Sequence, residues 1–135
     1  RGDVALFTPA ASAAREAGLG LTVHFAEAAC NAAELDTLLD WRPDRLGHVI
    51  HVPDAVRRRI AATPGIGLEL CLSCNVHAKM IVGGFEAHHF GEWWRVEGVV
   101  AVPCVGPPSP FSLEKFSSWG TPSGPHDLLA KEREN

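Results

Sequence analysis

The chain has 135 residues, of which 46% are hydrophobic and 21% charged, with a formal net charge of −4. That length allows one domain with a real core, and the mild acidity argues against a nucleic-acid or anionic-membrane surface. No apolar run approaches the ~18 residues of a membrane span and no signal peptide is visible.

The four cysteines, Cys30, Cys71, Cys74 and Cys104, form no disulfide framework, which predicts a reducing, cytoplasmic compartment. Met80 is the only methionine, so the sequence reads as a processed chain or a fragment.

Thr8-Pro9 reads as a helix start, with threonine as cap and proline at the first helical position. The alanine-rich stretch Ala10–Ala17 continues that helix, and Gly18 ends it. LTVHF (Leu21–Phe25) is an apolar, β-branched run and reads as a buried strand. Asn31 with Glu34 three residues on is a capping-box pattern, and AELDTLLD carries apolar residues at helical spacing up to Pro43. RLGHVIHV (Arg45–Val52) is a second strand. Pro53-Asp54 opens a helix through Ala62, which Thr63-Pro64 stops. GLELCL (Gly67–Leu72) is a third strand. A long loop containing Gly83-Gly84 leads to a short helix around His88–Arg95, and GVVAV (Gly98–Val102) is a fourth strand.

Strands therefore alternate with helices, and the strands are apolar enough to be covered on both faces. This pattern predicts an α/β fold with a parallel sheet and right-handed crossovers. The sheet should comprise residues 20–25, 45–50, 67–71 and 98–102 in sequential order, with His24 and His48 at the same edge. After Val102 the character changes: residues 103–135 hold six of the ten prolines and show no periodicity. Residues 1–102 are therefore expected to form the folded domain and 103–135 an irregular or disordered tail.

Reactive groups of parallel α/β folds sit at the carboxyl ends of strands. His24 with Glu27, then His48, then Ser73 and Asn75, occupy three successive strand ends. Imidazole ligates metals or moves protons, and a nearby carboxyl group serves as acid or base. Ser73 and Asn75 either line a substrate pocket or cap the loop backbone. Cys71 and Cys74 form C-x-x-C without a second pair and read as two isolated thiols. His88 and His89, adjacent on a helix, should point apart and serve helix start or packing. The run Arg57–Arg59 reads as a solvated helix face.

HFAE (His24–Glu27), RLGH (Arg45–His48), LELCLSCN (Leu68–Asn75) and HHFGEWW (His88–Trp94) resemble, in order and spacing, the adenosine deaminase superfamily. The last two segments are most similar to its adenosine deaminase-like branch, the N6-methyl-AMP deaminases. GDVALFTPA (Gly2–Ala10) resembles the family segment just after the fourth barrel strand. The resemblance implies a partial (β/α)8 TIM barrel, about strands five to eight, from the C-terminal half of such an enzyme.

It further implies zinc-dependent hydrolytic deamination of a 6-aminopurine nucleoside or nucleotide, N6-methyl-AMP being favoured, with IMP and methylamine as products. In that family pattern His24 matches a zinc-ligand histidine and Glu27 the acid that protonates purine N1. His48 matches the histidine that orients and deprotonates the zinc-bound water, while Ser73 and Asn75 are candidate substrate contacts. The family's remaining zinc ligands come from a His-x-His motif on the first strand and an Asp-Asp pair ending the eighth. Neither motif occurs in this sequence. The chain as written is therefore expected to be an incomplete, inactive form of a purine deaminase. The alternative is a catalytically dead half-barrel that acts as a binding or interaction module, or has no function. Unclosed barrel edges predict self-association.

Overall fold

The computed structural model describes residues 2–29 and 31–104. Most of the expected tail, 105–135, lies outside the described residues. A 3-10 turn, Val4–Phe7, leads into α1 (Thr8–Glu16), followed by β1 (Thr22–Phe25), α2 (Ala32–Asp40), β2 (Arg45–His48) and α3 (Asp54–Ala61). Then come β3 (Gly67–Cys71), α4 (Leu72–His77), α5 (Phe90–Trp93) and β4 (Val100–Cys104).

The four strands form one parallel sheet in the order β1-β2-β3-β4. Each strand lies beside its predecessor, so right-handed crossovers place successive helices on the same face. That is the winding of a (β/α)8 barrel segment rather than of a doubly wound sheet, which reverses direction at its centre. Register aligns Val23 with Leu46, Leu46 with Leu68 and Leu68 with Ala101. Leu46, Leu68 and Ala101 of this row are buried and belong to one core with Leu35, Leu38, Leu39, Val56 and Ile60 from α2 and α3. The alternate row carries Arg45, Glu69, Val100 and Val102 and forms the open face. Arg45 and Glu69 pair there at 2.8 Å.

Local capping follows the sequence at α2, where the Asn31 side chain accepts from the Glu34 N–H at 2.8 Å. It departs from it at α1. Thr8 is already helical and Phe7 takes the cap position, while Thr8 Oγ1 accepts from Trp41 Nε1 at 3.0 Å. Tertiary contact outcompetes the local cap. Asp44 ties α1, β1 and β2 together: its carboxylate accepts from Leu21 N–H at 2.7 Å and meets Arg15 at 3.0 Å. The Leu21 N–H, followed by Arg15, holds the Asp44 carboxyl below the usual carboxylate range.

The expected solvated face at Arg57–Arg59 holds at Arg58, which is exposed, while Arg57 and Arg59 are half-buried and paired. Arg59 reaches Asp36 and Asp40 on α2, and Arg57 pairs with Glu92 at 2.7 Å while lying 4.9 Å from the Trp93 ring centroid. These long side chains staple neighbouring helices through charge and stacking.

Two strand bounds also differ. β2 stops at His48 instead of continuing to Val52, because His48 (φ 66°) and Val49 (φ 56°) turn left-handed and leave the ladder. β4 begins two residues late, after a turn at Gly98 (φ 80°), and its ladder continues through Pro103 and Cys104. The helix α4 is not foreshadowed in the sequence, since it follows β3 with no breaker between them and its Ser73 and Asn75 favour caps and turns over helix interiors.

Candidate active site

β1 and β2 deliver their last residues side by side, with Phe25 in register with His48. Beyond β1 the backbone turns left-handed at Ala26 (φ 50°), which brings Glu27 back toward the strand end. His51 N–H donates to the Ala26 carbonyl at 2.9 Å and joins this loop to the one after β2. Glu27 Oε2 then lies 3.6 Å from His24 Nδ1, and Glu27 Oε1 lies 3.6 Å from His48 Nε2. The rings of His24 and His48 meet edge to face, with centroids 4.8 Å apart. Among the described residues these three can offer ligand atoms that all lie within 4.8 Å of one another. Imidazole nitrogens with a carboxylate are donors suited to a transition metal.

The two histidines differ in freedom. The His24 side chain is 77% exposed, whereas that of His48 is 5% exposed. By strand alternation His48 belongs to the row of its partner Phe25, under the helices. Its left-handed φ turns the ring out of that row and against His24. Val49 N–H donates to both the Gly47 and the Phe25 carbonyls at 2.9 Å, so His48 is the centre of a three-residue turn. Such a turn with positive φ is rare and strained.

What holds His48 comes from far along the chain. Its Nδ1 lies 2.8 Å from Asn75 Oδ1, on α4. Its backbone carbonyl accepts from His89 Nε2 at 2.6 Å. Asn75 has no exposed surface, and its Nδ2 lies 3.2 Å from His88 Nε2. Both polar ends of Asn75 are thus spent on histidines. Ser73 is half-buried in the first turn of α4.

His88 and His89 do not point apart. Both precede α5 rather than riding on it, both are buried, and their rings stack at 4.2 Å with a 23° interplanar angle. His88 Nδ1 accepts from Phe90 N–H at 3.0 Å, which is the helix-start role expected of it. Burial, then the neighbouring His89, pushes the His88 pKa down to about 4. Burial also lowers that of His89, partly offset by its bond to the His48 carbonyl. The tie from this histidine pair to His48 is a positioning contribution that sequence spacing misses. The signal available was two adjacent histidines before a helix that ends on the pair Trp93-Trp94.

Cys71, Cys74 and Cys104 are free thiols. Burial, then the thiol of Cys104, raises the Cys71 pKa to about 11, so Cys71 stays protonated and unreactive at neutral pH. No helix among the described residues is long and apolar enough to cross a membrane.

Comparison with known proteins supplies the family. No family model matches the chain. It is 38% identical over 96 residues to an adenosine deaminase-like protein of Caenorhabditis elegans, covering 70% of this chain and 24% of that protein. It is 36% identical over 93 residues to the N6-methyl-AMP deaminase of Homo sapiens, covering 62% and 24%. Among solved structures, an arabidopsis N6-mAMP deaminase aligns with a TM-score of 0.69 at 27% identity, covering 77% of this chain and 30% of that one. An arabidopsis ADAL complexed with GMP aligns equally well, with the same TM-score, identity and coverage. The chain spans about a quarter of the length of the curated relatives it matches. With its strand order, its parallel pairing and its aligned segments in agreement, the chain belongs to the adenosine deaminase superfamily, on the adenosine deaminase-like branch, as a partial TIM-barrel segment.

Proposed function

We propose that this chain carries part of the active site of a zinc-dependent hydrolase that deaminates a 6-aminopurine nucleoside or nucleotide. N6-methyl-AMP is the favoured substrate, giving IMP and methylamine. The observation that carries the reading is the convergence of His24, Glu27 and His48 on two adjacent strand ends, with Glu27 3.6 Å from each ring. The names of the relatives, N6-methyl-AMP deaminase and adenosine deaminase, support a purine substrate, and the arabidopsis complexes with IMP and GMP support a nucleotide.

The donor set fits zinc, since neutral imidazole with carboxylate oxygen is a common zinc environment. When bound, zinc supplies a water whose pKa falls toward ~7, so that hydroxide is available at neutral pH. His24, with its exposed ring, is the ligand in this reading. Glu27 gives its proton to purine N1, which makes C6 electrophilic. His48, fixed from behind by Asn75, orients the attacking water. Ser73 is the substrate-side group of α4, while Asn75 acts through His48. Free thiols at Cys71, Cys74 and Cys104 support a reducing, cytoplasmic setting.

A second reading is an interaction module without catalysis. It draws on Val100 and Val102, which are 57% and 49% exposed on the open sheet face. One experiment separates the two. This segment is joined to strands one to four of a family member, and an Asp-Asp pair is added after β4. Turnover of N6-methyl-AMP that Glu27→Gln abolishes supports the enzyme reading. A folded, zinc-loaded but inactive joined protein overturns it.

A further inference from the structure

We propose that Cys71 and Cys104 form a thiol modification site, which a low-molecular-weight disulfide such as oxidised glutathione converts into a Cys71–Cys104 disulfide. The sequence offers Cys71 only Cys74 as a neighbour, whereas the sheet gives it a thiol from the next strand. Cys71 ends β3, Cys104 ends β4, and the two are register partners in the parallel ladder. Alternation puts both on the open face, Cys71 in the row of Gly67 and Glu69, Cys104 in the row of Val100 and Val102. Neighbouring strands lie about 4.8 Å apart, inside the ~4.4–6.8 Å that a disulfide spans between Cα atoms.

The electrostatics agree with this pairing. Burial raises the Cys71 pKa to about 11, and the Cys104 thiol adds to the rise by charge and by hydrogen bonding. Cys74, in the first turn of α4, adds to it by charge alone and by less than Cys104. The sulfur that meets Cys71 is therefore the one across the ladder, not the one at C-x-x-C spacing.

Cys104 is exposed and Cys71 half-buried, so Cys104 meets the reagent first. Its thiolate attacks one sulfur of the small disulfide and breaks that S–S bond. This leaves a mixed disulfide on Cys104 and releases one small thiol. Cys71 then attacks Cys104 Sγ, the Cys71–Cys104 bond forms, and the second small thiol leaves. The two protein thiols lose two electrons, the small disulfide gains them, and both thiol protons end on the released thiols. Cys71 is protonated and inert toward reagents in solution, but here its target sulfur is held beside it. The new bond closes the ends of β3 and β4 where α4 begins, one turn before the Asn75 that holds His48. In a reducing compartment such a bond is transient and forms when the small-thiol pool is oxidised. The inference goes beyond the deaminase reading and does not rest on it.

The test treats the full chain with oxidised glutathione at mildly alkaline pH and blocks the remaining thiols with iodoacetamide. The monomer is then isolated on a non-reducing gel and digested with trypsin. Cleavage after Arg59, Lys79, Arg95 and Lys115 puts Cys71 and Cys74 in peptide 60–79 and Cys104 in peptide 96–115. The expected product is these two peptides joined, lighter by two hydrogens than their sum, in the wild type and in Cys74→Ser. Cys104→Ser should lose the joined pair, and Cys71→Ser should lose it while keeping glutathione on Cys104. Fragmentation of the wild-type pair, which needs no variant to fold, should place the link on Cys71. A link to Cys74, a Cys71–Cys74 loop within one peptide, or a monomer without the joined pair overturns the proposal. So does a joined pair found in cross-linked dimers only.

Discussion

His89 donates from Nε2 to the carbonyl oxygen of His48 across 2.6 Å, bridging 41 positions of sequence to hold a residue whose φ is 66°. A non-glycine residue in that region costs about 1–3 kcal/mol and persists only where its surroundings fix it. His89 supplies that fixation from the turn that opens α5, and Asn75 supplies it from α4.

His89→Phe keeps the ring's bulk and its stacking on His88 but leaves the His48 carbonyl without its donor. The expected loss is about 1–3 kcal/mol of stability, read as a lower urea midpoint at unchanged slope. An unchanged midpoint would show that the turn at His48 holds itself.

Stability should fall on mild acidification. His88 has its pKa depressed from the ordinary 6.5 to about 4 in the folded chain, so the unfolded chain takes up the proton first. Its contribution is therefore complete above pH 6.5 and is lost as pH falls from there through about 4. A shift of that size corresponds to about 3 kcal/mol at full expression, with His89 acting in the same direction. Melting curves between pH 7.5 and 4 measure it. His88→Gln should flatten the slope, and an equally steep slope in that variant would assign the effect elsewhere.

The open face predicts self-association of the isolated chain. Val100 and Val102 are exposed on β4, and β1 and β4 are the edges of the described sheet. Unpaired edges and apolar faces recruit further strands. Sedimentation velocity should show concentration-dependent oligomers, which Val102→Lys reduces. A clean monomer with a sharp melt would contradict this.

Deamination by the 135 residues alone should be undetectable on adenosine, AMP or N6-methyl-AMP, with or without zinc. A catalytic zinc generally needs three protein ligands plus water, and in the proposed reading His24 is the only ligand this chain contributes. Acid–base help of ~10²–10⁴-fold from Glu27 and His48 does not replace the missing nucleophile. Robust turnover by the unmodified chain would show that His48 and Glu27 themselves serve as ligands.

The sequence by itself determined the scaffold. Alternating apolar runs and capped helical stretches placed all four strands and the first three helices and made the sheet parallel, while its sequential order is what the resemblance to the barrel family implied. Asn31 capped as its spacing with Glu34 required, because that bond closes over three residues. His24, Glu27 and His48 were legible as candidates because strand ends expose whatever follows the apolar run.

Only the tertiary structure decided what surrounds them. The early end of β2, the helix α4, the stacking of His88 on His89 and the bonds to His48 all depend on contacts between distant elements. Asn75 reaches His48 across 27 positions and His89 reaches it across 41. Hydrophobic periodicity reports which face of an element is buried, and a local cap reports where it starts. Neither reports which buried donor meets which buried acceptor once the sheet has brought the strand ends together.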